Sequence, residues 1–212
     1  MNPLDQIRQI LETPLGTFNL AATAIVALCV FAIILAVIIN FAEGASGGEV
    51  QKEKRNIVET GSMAAFFFVL YLMIKLHIGE LASSDVSLQV VRISIGLIVF
   101  VLGTIFNIWG RLHLGHNWAN QIKIYQKHTL ITNGPYRFVR HPLYASLIWM
   151  CIAGALIYSN WLVALLSLII FVPMMSYRAK HEEIILETRF DNYKEYKSKT
   201  GMFFPRTIKS EA

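Results

Sequence analysis

Apolar and polar residues in this chain fall into long blocks rather than a short, even alternation. An apolar run from Phe18 to Phe41 is about 24 residues long, enough at 1.5 Å per residue to cross a hydrocarbon core of roughly 30 Å. A Gly- and charge-rich connector over 43–56 separates it from a second run, Ile57 to Ile78. A third apolar run covers Leu88 to His113 after a short link. Two further arms, Pro142 to Tyr158 and Trp161 to Tyr177, have only Ser159 and Asn160 between them, so they predict an antiparallel helical hairpin. Pro142 suits a first helical turn, where its missing N–H costs nothing, and Pro173 predicts a kink in the second arm. From Arg178 to Tyr196, Ile184, Ile185, Phe190 and Tyr193 recur among charges at helical spacing, which predicts an interfacial helix. No strand is expected. Together these elements predict an all-α integral membrane protein of about five transmembrane helices, with a C-terminal helical hairpin and a cytoplasmic cap.

Composition agrees: of 212 residues, 55% are hydrophobic and 16% charged, where soluble domains carry roughly 25% charged residues. The basic residues decide orientation. They gather in the 43–56 connector, in 114–141 and in the tail, whereas the links at 79–87 and 159–160 hold none. Five spans with the N-terminus outside and the C-terminus in the cytoplasm obey the positive-inside rule. Residues 1–17 are expected at the interface, with no cleavable signal peptide and no C-terminal prenylation box. Cys29 and Cys151 lie in apolar runs and read as buried hydrophobes. Lys75 and His77 read as side chains snorkelling to the interface. The Gly-Ala-Ser-Gly-Gly of the connector follows a membrane span rather than a strand, so it reads as a flexible link and not a phosphate loop.

Candidate chemistry concentrates in two segments that this topology brings to one face. Asn133 to Tyr144 is a basic turn running straight into a helix, and the stretch 114–141 around it has no acidic residue. Glu182 and Glu183 follow the second arm of the hairpin. Arg140 and His141 could anchor to lipid headgroups, and the two glutamates could be a solvated helix face. A mixed-charge ligand held between the segments would explain both. His113 and His116 have chelating spacing but no Cys or carboxylate nearby, so no metal is expected. Ser146 and Ser159 have no triad logic.

The run Gly134-Pro-Tyr-Arg-Phe-Val-Arg-His-Pro-Leu-Tyr144, then the hairpin, then Glu182-Glu183-Ile-Ile-Leu186, Phe190, Tyr193, Tyr196 and Phe204-Pro205, resembles the isoprenylcysteine carboxyl methyltransferase family. Phospholipid N-methyltransferases share its Arg-His-Pro and paired-Glu features. The resemblance covers 107–206 and divides a single membrane domain into N-terminal spans over 1–106 and a cofactor-binding half. It implies S-adenosyl-L-methionine as methyl donor, held by the C-terminal half outside any Rossmann fold. Glu182 or Glu183 would suit the donor's ammonium or ribose, and Arg140 or His141 its carboxylate. Tyr136 and Tyr144 would pack on it, within the motif that includes Gly134 and Pro142, and backbone groups from His128 to Leu130 would meet adenine. The implied catalytic set is Arg140, His141, Arg178 and Glu183.

The acceptor decides the rest. An isoprenylcysteine-like carboxylate needs only an arginine to orient it, and Arg178 or Arg189 would serve. A lipid amine needs a base, for which His141, His181 or a carboxylate would be recruited. A lipophilic or lipidated acceptor and membrane lipids are the expected partners, with no nucleic acid. A sterol-reductase-like enzyme using a nicotinamide cofactor and a non-catalytic scaffold binding anionic lipid are the other readings.

Overall fold

The computed structural model describes residues 12–45, 50–53, 57–115, 123–125 and 129–206. Helix α1, Pro14–Ala45, starts earlier than the apolar run because Pro14 opens it and the Thr13 hydroxyl accepts the Gly16 amide at 3.1 Å. Strand β1, Val50–Glu53, precedes α2, Ile57–Lys75, and α3, Val86–Leu114. Strand β2, Lys123–Tyr125, pairs antiparallel with β1. This small ribbon differs from the expectation of no strand at all; neither segment carries the apolar alternation that marks a half-buried strand.

Gly134–Arg137 forms one 3₁₀ turn before α4, Pro142–Ile157, begins with Pro142 in its first turn. The expected hairpin is present. Asn160 turns the chain, its side chain accepting the Val163 amide at 3.1 Å as the cap of α5, Trp161–Leu166. A π-turn at Ser167–Phe171 joins α5 to α6, Val172–Arg189. The effect expected of Pro173 is this turn. Proline crowds the carbonyl four residues back, and widening the preceding turn to a Val172 N–H bond on the Ser167 carbonyl relieves it. The short helix α7 is Tyr193–Lys199.

One boundary is corrected. The segment from Arg178 does not start a separate interfacial helix but continues the second arm to Arg189, and the break comes at extended Phe190. The continuous stretch Trp161–Arg189 is one of three helical stretches long and apolar enough to cross a membrane, with Pro14–Asn40 and Val86–Leu114. Outward residues such as Leu28, Phe31, Leu102 and Leu112 are more than half exposed, an apolar surface suited to lipid. The chain is therefore an integral membrane protein.

Helices α3 and α4 make the closest pairing. Gly96, Gly103 and Gly110, two turns apart on α3, face α4 so tightly that a Cβ would lie 2.7 Å from Ile157 Cγ1, 2.8 Å from Met150 Cγ and 3.0 Å from Leu143 Cδ2 respectively. Small residues let membrane helices approach closely where burial of apolar surface gives no drive. One end of the bundle carries the 79–85 link and the hairpin turn, bridged between Glu80 and Asn160. The other carries the ends of α3 and α6 and the start of α4.

Candidate active site

The chain reaches this second end through Gly134, whose φ of +56° favours glycine and whose missing side chain leaves room for the His113 ring; a Cβ would come within 2.2 Å of it. Tyr136 is buried. Its hydroxyl donates to the Gly110 carbonyl at 3.5 Å, and its own carbonyl accepts the Tyr196 hydroxyl at 2.6 Å. Next, Val139 to His141 runs beside 201–202. The Arg140 amide donates to the Gly201 carbonyl at 2.8 Å and the His141 amide to that of Met202 at 3.2 Å. Arg140 and His141 are thus held by backbone before their side chains bond anything.

Those side chains converge on α6. Glu183 is 2% exposed. Its Oε1 accepts Arg140 Nε at 2.8 Å and lies 3.2 Å from His141 Nε2, and its Oε2 is 2.9 Å from Lys197 Nζ. Arg140 also donates to the carbonyls of Lys197 and Thr200. On the other side of the imidazole, Nδ1 is 3.5 Å from Glu182 Oε2, and the Tyr144 hydroxyl donates to Glu182 Oε1. The His141 and Tyr144 rings stack at 5.7 Å, and the Arg178 guanidinium lies 5.7 Å above Tyr144.

A position between two carboxylates favours the charged form of a histidine. Burial opposes the charge, but the hydrogen bonds from Glu182 and Glu183 outweigh it, and the His141 pKa rises above the ordinary 6.5. Both ring nitrogens face carboxylate oxygens, an arrangement that favours a proton on each. Burial also keeps the Tyr136 phenol neutral, and the Tyr196 phenol is pushed up to about 12.

The structure therefore brings together Arg140, His141, Tyr144, Arg178, Glu182 and Glu183, with Pro142 buried beneath them and Tyr136 reaching them through Tyr196. Leu130 is half-buried on the approach, and His128 lies outside the described residues. His181 is exposed and stands edge-on to Tyr177, apart from the cluster. Arg189 ends α6, about three turns beyond Arg178.

Sequence reasoning missed two contributors. Lys197 closes the cluster from α7, and its only sequence signal was a basic residue directly after Tyr196. Arg111 is buried in α3, its Nε donating at 2.8 Å to Asn107 Oδ1, while Asn107 Nδ2 donates to Ser146 Oγ at 2.8 Å. An arginine inside an apolar span was a signal that could have been used.

Residues 95–188 match the sequence model of the isoprenylcysteine carboxyl methyltransferase family. Over this segment the chain is similar to that family. The match takes in α3, the basic turn, the hairpin and the paired glutamates. A protein-S-isoprenylcysteine O-methyltransferase of Xenopus laevis is 33% identical over 122 residues, which are 55% of this chain and 42% of that protein. A nickel-cobalt-cadmium resistance protein, NccN, of Alcaligenes xylosoxydans xylosoxydans is 27% identical over 139 residues, 65% of this chain and 61% of its own. The solved structure of the eukaryotic intramembrane Ras methyltransferase of the same family shares the fold. Its TM-score is 0.53 at 23% identity, covering 71% of this chain and 54% of that one. The chain spans about half the length of the curated relatives it matches.

Proposed function

We propose that the protein is a membrane-embedded methyltransferase that uses S-adenosyl-L-methionine to methylate the carboxylate of a lipophilic, isoprenylcysteine-like acceptor at the cytoplasmic face. The observation that carries the reading is His141 clamped between Glu182 and Glu183 at the helix ends of the family-matched segment.

The donor set fits a zwitterionic cofactor. Glu182 keeps 28% of its side chain exposed and can take an ammonium or ribose hydroxyls, whereas Glu183 is spent on Arg140, His141 and Lys197. The Tyr193 hydroxyl is buried beside Glu183 and Arg140 without a hydrogen-bond partner among the described residues, and a ligand polar atom would satisfy it. Glu183 and Arg140 then act as the rigid back wall. Tyr144 and the turn at Gly134 form the sides, and backbone from His128 to Leu130 would meet adenine, as the family resemblance implies. When bound, the cofactor supplies an electrophilic methyl group on a sulfonium. The protein's part is to hold the acceptor in line and keep water out.

Arg178 is the residue we assign to the acceptor. It is buried, lies over Tyr144 and touches Met63 of α2 at 3.1 Å, where a carboxylate arriving between α2 and the hairpin would meet it. An imidazolium with both N–H groups engaged has no lone pair to accept a proton. That favours a carboxylate, already ionised at neutral pH, over an amine that must first be deprotonated. Five spans complete the proposal, with the acceptor's route flanked by α2 and the hairpin because the glycine seam closes α3 against α4.

The test is transfer of radiolabelled methyl from S-adenosylmethionine to a panel of prenylcysteine, phospholipid and small thiol acceptors, with calorimetry of the cofactor against NADPH. Labelling of the prenylcysteine carboxylate is expected. Labelling of phospholipid amine instead would favour N-methylation, and binding of NADPH alone would favour a reductase.

A further inference from the structure

The end of the bundle away from the cluster holds a cavity of about 420 Å³, and its chemistry is independent of the methyl-transfer reading. Ala22 of α1, Ile93 of α3 and Ile157 of α4 give it apolar walls, while Arg92, Thr23 and Tyr158 give it polar ones. Arg92 is the key. Its Nη1 donates to the Leu156 carbonyl at 2.6 Å, so the guanidinium reaches across to the hairpin at the cavity wall. No carboxylate of the described residues lies within ion-pair distance of it. The nearby acid, Glu80, is bonded to His77 instead. A cation inside a membrane helix with no counter-charge is costly unless a ligand provides one.

The rim is preformed. His77 and Ser159, with φ of 56° and 50°, are the non-glycine residues at positive φ among the described residues, and both line this cavity. Such backbone persists where the surroundings over-determine it. Here the Leu81 amide donates to the Ser159 carbonyl at 2.8 Å, the Trp161 amide to that of Gly79 at 3.1 Å, and Asn160 Nδ2 to that of Ile78 at 2.8 Å. Depth gives the ligand. Helix α3 has 29 residues, about 44 Å at 1.5 Å each, against a hydrocarbon core of roughly 30 Å. Arg92, six residues from its start, sits about 9 Å in, at the level where hydrocarbon meets headgroups.

We propose that this cavity binds a phosphate ester, supplied by the headgroup of an anionic phospholipid in the leaflet opposite the Arg140–Glu183 cluster, with Arg92 as counter-charge. Guanidinium matches phosphate through paired N–H donors, and the Tyr158 hydroxyl supplies a further one, while the Thr23 hydroxyl donates to the Asn19 carbonyl at 2.9 Å and only lines the cavity.

The experiment uses the purified full chain in detergent, with native mass spectrometry and thermal shift against phosphatidylglycerol, glycerol 3-phosphate and phosphate-free diacylglycerol. Wild type should retain phosphatidylglycerol, Arg92→Gln should bind it at least about tenfold more weakly, a loss of about 1.4 kcal/mol, and Arg92→Lys should fall between. Thr23→Leu fills the mouth without touching the Arg92 bond to Leu156, and should also weaken retention if Arg92→Gln does not fold. Arg92-dependent stabilisation by phosphatidylglycerol alone identifies the lipid headgroup as the source. Equal stabilisation by glycerol 3-phosphate identifies a free phosphate ester. Retention unchanged in both Arg92→Gln and Thr23→Leu, or diacylglycerol retained as well as phosphatidylglycerol, overturns the proposal.

Discussion

Glu183 puts a carboxylate where only 2% of the residue meets solvent, and three cationic side chains surround it. Burial of such a group is tolerated because it is paired, and removing one partner leaves the other charge uncompensated, at a cost of about 3–5 kcal/mol. Glu183→Gln is therefore expected to lower thermal stability in detergent by an amount in that range, not merely to weaken cofactor binding. Arg140→Gln with Glu183→Gln should cost less than the two singles added, and a double-mutant cycle of unfolding free energies checks it. His141 gives a pH signature of the same cluster. Its folded-state pKa is raised, so its contribution to stability is complete below the ordinary 6.5 and is lost as pH rises through the raised value. Unfolding temperature should fall as pH climbs above about 6.5, and His141→Gln should flatten that slope. Much of this was legible at the level of residue type, because Arg140, His141 and the glutamates are unusual next to apolar runs. That Glu183 saturates its own partners while Glu182 stays reachable was not. The distinction depends on Lys197 and on carbonyls about 60 residues from Arg140, which no local pattern encodes.

Helices were legible where apolar length set them, and misjudged where charge did. The first three apolar runs lie in the helices Pro14–Ala45, Ile57–Lys75 and Val86–Leu114, and the first and third of these are long and apolar enough to cross a membrane. Arg178 to Glu183 looked like the start of a surface helix because its charges were weighed without their partners. Paired to Tyr144, His141 and Arg140, they continue the second arm without a break. The π-turn before Pro173 was legible only as a disturbance, since proline dictates that something must give but not which turn. The Gly96, Gly103 and Gly110 seam carries a prediction at this scale. Gly103→Val would drive its side chain into Met150 Cγ, 2.8 Å from the position of a Cβ, with α4 unable to retreat along the rest of the seam. A loss of about 1–3 kcal/mol is expected from such overpacking, measured as detergent unfolding, whereas Gly61→Ala, with nothing within 4 Å, should change stability little.

On the scale of the whole molecule, the two ends of one bundle divide the chemistry. The end with Arg140 and Glu183 has paired charges, a buried histidine and an arginine on an aromatic ring, while lipid-facing helices surround it. That division explains why a water-soluble donor and a membrane-dissolved acceptor would meet there, and it makes the pH dependence of catalysis a decisive measurement. If the acceptor is a carboxylate, its pKa near 3.5 leaves it ionised throughout the neutral range. With the charged form of His141 favoured between the two carboxylates, no side chain of the cluster needs to lose a proton before attack. The rate constant for methyl transfer is then expected to stay flat from about pH 6 upward, declining only where His141 discharges and the clamp loosens. An amine acceptor gives the opposite sign, since its rate climbs about tenfold per pH unit below a pKa near 10. Arg178→Gln separates binding from chemistry within the same assay: it should raise KM for a carboxylate acceptor with the cofactor's Kd unchanged, because Arg178 contacts Tyr144 and Met63 rather than the glutamate pair. A steadily rising pH profile together with an unaltered KM in that variant would remove the carboxylate reading and leave the amine.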